Sequence, residues 1–316
     1  MLISRRAALA AAGALAVAGC ASSPVVNGDP ATAPSPPAMP DPPVPTQAPE
    51  AASAQAALAA LEAELRRAAG LDAWEKRDWA RAAADQCAAH LALLSLPDPL
   101  SAGEQEPFET PAPVVGTATD AEAVGTELKA RAKAAAEALE SAATASNTPD
   151  LRLTWASAGT AASALAGKRI PPVPGEATPG RFSAPTREAA LGVAISHAWA
   201  LVYGLGVGLG RLGSKDPLYE WGLSRLNTAR ELRNELRAAL GADTPTQPAA
   251  FELPTAMDSA KTITAGWAAL ERNLLEGYAT AVAGDDAPRW RALMRAQAKP
   301  MAELGAPLPF WPGWVA

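Results

Sequence analysis

Few residues in this chain could do chemistry, and their spacing limits what they could do. There are two histidines and two cysteines in 316 residues. Cys87 and His90 stand three apart, so a helix would put both on one face, but a Cys-x-x-His pair is half a zinc site and no second pair completes it. Cys87 therefore reads as a small buried hydrophobe. His197 sits mid-run among apolar residues and reads as a buried neutral histidine bonded to Ser196 or Tyr203. With Tyr203 and Glu271 it also marks a candidate ligand cavity, or the site of an enzyme or redox protein assembled from scattered residues. A nucleophile with a nearby base, paired carboxylates, a phosphate loop and a cofactor motif are all absent from the sequence. The expected cofactors and metals are none, and catalytic residues stay unassigned.

Gly208-Leu209-Gly210-Arg211-Leu212-Gly213 matches the dinucleotide fingerprint, which requires a strand before it and a helix start after it. These glycines instead close a helix, with Asp216-Pro217 opening the next. Their spacing suits helix packing: Gly204 with Gly208, and Gly206 with Gly210, make smooth faces for a neighbouring helix. Residues 189–210 carry no formal charge, long enough for a membrane span. A central helix surrounded by its neighbours is the preferred expectation.

The chemistry at the start of the chain concerns address. Arg5 and Arg6 precede an uncharged run of Ala, Leu, Val and Gly, closed by Val17-Ala18-Gly19-Cys20. That is the charged, apolar and small-residue order of a signal peptide, its apolar core too short to span a bilayer stably. The ending resembles a bacterial lipobox, which implies cleavage between Gly19 and Cys20 and acylation of the Cys20 sulfur. Arg5-Arg6 also resembles a twin-arginine signal, leaving the export route open. The expectation is export and lipid anchoring on the outer face of the cytoplasmic membrane. Residues 20–50 then form a stalk: 21–50 hold ten of the thirty prolines and almost no large apolar residues, a composition that cannot build a core.

Half of the residues are hydrophobic, and alanine dominates them; no stretch alternates like a strand. The expected fold class is all-α. A net charge of −6 argues against nucleic acid as partner, because phosphate binding needs a basic stripe. Caps place the helices: Asp72 with Glu75 opens one running to about 96, Thr119 with Glu122 another to about 146, and Thr148-Pro149 a third ending at Gly167. These make an α-helical N-terminal domain over 51–170. The five prolines of residues 168–185 place a linker at 171–185. Four further helices (186–212, 217–240, 255–284 and about 288–304) predict an antiparallel bundle over 186–316, followed by the aromatic tail Pro309-Phe310-Trp311-Pro312-Gly313-Trp314. The tail is expected to fold back and plug the bundle, with contact to a partner or membrane interface as the alternative.

Residues 194–204 (Ala-Ile-Ser-His-Ala-Trp-Ala-Leu-Val-Tyr-Gly), 238–242 with 251–254, and Leu270-Glu271 with Tyr278 resemble the ferritin-like domain of unknown function found in actinobacterial lipoproteins, over residues 186–305. The resemblance implies a ferritin-like four-helix bundle and no agreed activity. A di-iron site in that fold would need Glu-x-x-His pairs, and this sequence has none. The favoured expectation is a non-catalytic binding or scaffold protein of the cell envelope, whose partner is a small apolar ligand, a lipid or another envelope protein.

Overall fold

The computed structural model describes residues 45–167, 172–173 and 179–314. Arg5, Arg6, Gly19, Cys20 and most of the stalk lie outside them. Among the described residues the protein is all-α apart from one two-residue strand pair. The helices are α1 (Pro49–Gly70), α2 (Arg77–Leu94), α3 (Ala121–Ala145), α4 (Pro149–Ala166), α5 (Arg187–Leu209), α6 (Pro217–Leu240), α7 (Ala260–Gly284), α8 (Pro288–Ala296) and α9 (Ala298–Glu303). Strand β1 (Pro172–Val173) runs parallel to β2 (Leu308–Pro309).

The long helices pack in the order α2, α1, α3, α4, α7, α5, α6. Residues 45–316 form one compact unit, with one contiguous core running through both helix groups. The expected domains 51–170 and 186–316 are thus joined by the α4–α7 contact. The buried core is continuous across that contact, so the two groups share one hydrophobic interior.

Several ends follow their caps. The Thr186 and Asp216 side chains accept from the backbone N–H of Ala189 and Leu218, and α6 and α9 are followed by Gly241 and Gly305 at positive φ. Others depart. Asp72 does not cap a helix but pairs with Arg77 at 2.7 Å, and α2 starts only there. Asp120, not Thr119, caps α3. The helix expected from Thr255 starts at Ala260, under a Ser259–Thr262 capping box.

The fourth bundle helix, expected over 288–304, is two short helices broken at Gln297. Pro300 explains the break: it has no N–H to donate to Ala296, and its ring would crowd that carbonyl. Residues 186–316 therefore present three long helices and a short pair.

Candidate functional site

The glycines of α5 carry the tightest packing in the C-terminal group. A Cβ on Gly208 would lie 2.6 Å from the Trp267 ring, and one on Gly222 of α6 would lie 2.4 Å from it. Trp267 of α7 thus lies where three helices meet, and its indole N–H donates to Gly204 O at 3.0 Å. Gly204 makes room for Leu270. Of the two expected small-residue faces, only Gly204/Gly208 is used, because Gly206 faces open space. Helix α5 is long and apolar enough to cross a membrane by length and composition, and half of its apolar window is buried within the protein. Neighbours do not surround it. Gly192, Val193 and Ser196 lie along its outer side, Val193 41% exposed.

His197, Tyr203 and Glu271 do not share a cavity. His197 is half-buried over Gly277, where an added Cβ would touch its ring at 3.0 Å. Burial pushes its pKa down, against the pull of Glu276. The Ser196 hydroxyl donates to Gly192 O, and Tyr203 packs against Phe251 with ring centroids 5.8 Å apart. Neither is the histidine's partner. Glu271 is fully buried and grips Arg225 of α6 through two bonds of 2.7 Å. Gln297 donates to the Glu271 backbone O at 2.9 Å and accepts from Arg225 at 3.1 Å. The geometry is a bidentate ion pair closed by an amide at the α8–α9 break, a structural clasp that uses up the carboxylate's acceptors.

The other histidine is more deeply buried. His90 is 1% exposed, and its Nε2 lies 2.8 Å from Phe310 O, so Nε2 carries the proton and donates. Gln86 donates to the same carbonyl, also at 2.8 Å, and Ser157 of α4 donates to Pro312 O at 2.8 Å. Burial lowers the His90 pKa to about 4, with the Phe310 contact opposing. Burial likewise pushes the Cys87 thiol far up, leaving it protonated and inert. The tail is thus a wedge between α2, α4, α7 and α8. Gly313 fits where a Cβ would lie 2.5 Å from Ala279 and 2.9 Å from Met294. Its positive φ favours glycine as well.

Beside this wedge opens a cleft of about 420 Å³ between α4, α7, residues 180–185 and the tail. Its walls are mainly apolar: Leu153, Phe182, Pro185, Ala279, Ala283 and Trp314, with Thr280 and Arg181 as polar groups. Phe182 and Trp314 meet edge to face, centroids 5.6 Å apart. Arg181 is held to the rim by Asp98 and Asp150. That volume suits a small ligand, and the arrangement of apolar walls with a few polar groups is what such sites use. Of these residues only Trp314 stood out in the sequence, as part of the aromatic tail. Phe182, alone among prolines and far from any apolar run, was a further available signal.

Among the described residues no group of three histidine, cysteine, aspartate or glutamate side chains is placed to hold a metal ion. No protein family, curated protein or solved structure matches the chain.

Proposed function

We propose that the chain is an exported, lipid-anchored helical protein of a bacterial cell envelope that binds a small apolar ligand in the cleft between α4 and α7. The supporting observation is the 420 Å³ volume walled by Leu153, Phe182, Ala283 and Trp314 at the junction of the two helix groups. The address rests on Arg5, Arg6 and the Gly19-Cys20 ending. The ferritin-like resemblance of 186–305 belongs to the same reading, as a bundle without a di-iron site and with a shortened fourth helix. A non-catalytic role is favoured because His197, Tyr203 and Glu271 are each engaged with different neighbours, which counts against the alternative enzyme or redox site around them.

The test is binding of a neutral hydrophobic fluorophore, Nile red, to the full chain carrying Cys20→Ser. Thr280→Trp should fill the cleft and weaken binding roughly tenfold, the loss of about 1.4 kcal/mol. Binding that is unchanged in this variant would overturn the cleft reading. Separately, Cys20→Ala should abolish acylation and membrane retention in the native host; a variant still acylated and membrane-bound would sink the address.

A further inference from the structure

A second cleft lies at the other end of α4. It is about 600 Å³, bounded by α3, the end of α4 and the α8–α9 break. Its floor is alanine: Ala164, Ala166, Ala296, Ala298 and Ala302. Short side chains leave a trough that an unbranched chain could fill, and covering that wall would remove apolar surface from water. Its rim is cationic. Among the described residues, Lys129, Arg295 and Lys299 line it, and no carboxylate does. In a chain of net charge −6, three cations around one apolar trough run against the average.

The neighbouring acids do not cancel them. Glu140 binds Arg295 but is shared with Arg291, which reaches it at 2.8 Å, so one carboxylate stands between two guanidiniums. Lys299 has Glu303 at 3.9 Å, an exposed pair one helical turn apart whose attraction is small in water. The end of α4 adds partial negative charge from its carbonyls. Gly167 N–H already donates to two of them, those of Ala164 and Leu165. The balance at the rim is positive.

We propose that this cleft is a second ligand site, separate from the one between α4 and α7, and that it takes a single-chain anionic amphiphile. The acyl chain lies along the alanines, and the carboxylate or phosphate head meets Lys129, Arg295 and Lys299. A charged head on an apolar chain matches both halves of the site at once, which neither a free anion nor a neutral lipid does.

The experiment uses the full chain with Cys20→Ser, so that it carries no acyl group, and lysophosphatidylglycerol below its micelle concentration. Calorimetry should show saturable binding. Lys129→Ala with Lys299→Ala, both exposed positions, should weaken it roughly tenfold, and Ala164→Trp should abolish it by filling the trough. Thr280→Trp, in the other cleft, should leave it unchanged. A neutral monoacylglycerol of the same length should bind weakly and ignore the lysine changes, and inorganic phosphate alone should bind weakly or not at all. Absence of binding would overturn the proposal, as would neutral lipid binding as tightly as the anionic one. Phosphate matching the amphiphile would show a free-anion site instead. Loss in Thr280→Trp alone would move the ligand to the first cleft.

Discussion

The α5–α6–α7 junction and the tail wedge are both tight and share two devices, a glycine that leaves room and a side chain bonded to a carbonyl, but in different proportion. At Trp267, contact depends on missing side chains: Gly208 and Gly222 leave space that a Cβ would occupy. At the wedge, it depends on polar side chains reaching the tail's backbone, from Gln86, His90 and Ser157 to Phe310 O and Pro312 O. The first kind of junction is written in residue identity, because glycine four residues from glycine is uncommon in a helix and costs about 1 kcal/mol relative to alanine. The second is not, since every residue offers a carbonyl.

The largest test removes the first junction's ring. Trp267→Ala should cost about 3–5 kcal/mol, the range for deleting a buried tryptophan, read as a fall in the denaturation midpoint of the full chain. A loss below about 1 kcal/mol would mean that the three helices do not depend on that ring.

Acid should act on the wedge more than on the α5–α6–α7 junction. His90 folds neutral, its pKa lowered from 6.5 to about 4. Between those values the unfolded chain binds a proton that the folded chain refuses, so stability is complete above about pH 6.5 and falls as pH drops toward 4. The full effect is roughly 3 kcal/mol. Glu64 and Asp285 shift the other way. Burial raises each, but Arg67 and the Gly116 N–H outweigh it at Glu64, as Trp290, Ala287 and Arg187 do at Asp285. Their contributions are lost at lower pH, below the ordinary carboxylate range. Burial lowers His197 in the same direction, so a stability titration from pH 7 to 4.5 reports both histidines, and His90→Gln should remove the larger part of its slope. A slope left undiminished by this change would place the titrating group elsewhere.

The finest contrast compares two glycines of one helix. A Cβ on Gly208 would meet the rigid Trp267 ring, so Gly208→Ala should destabilise by about 1–2 kcal/mol despite alanine's better propensity. Gly192 has open space within 4 Å, so Gly192→Ala should stabilise by about 0.5–1 kcal/mol. Equal signs from the two thermal melts would break the assignment of which face of α5 is packed.

The same distinction accounts for what could be read from the sequence. Helices α4, α5 and α6 announced themselves through Pro149, Thr186 and Asp216-Pro217, because helix-start signals are local chemistry, although the Thr148 hydroxyl goes to Asp150 and caps nothing. The break at Gln297 was also local, but the fourth-helix expectation ran through Pro300. The Gly204/Gly208 face was legible, whereas Trp267 and Gly222 were not singled out, since they lie on other helices. The two histidines traded places: His197 has the more apolar neighbours in sequence and is half-buried, while His90 is sealed by residues more than two hundred positions away. Glu271 offered no clue to Arg225, 46 residues distant. The cleft between α4 and α7 was invisible for the same reason, being lined by four segments that nothing in the sequence links.

The wedge also sets an order on assembly. Residues 310–313 leave the ribosome after all the helices they join, so α2 and α4 must wait, with His90 and Ser157 lacking their carbonyl acceptors, until that stretch is free to fold back. Until then the junction is open and its polar groups remain hydrated. A junction built this way closes only once residues 310–313 have been made, however early the helices around it form.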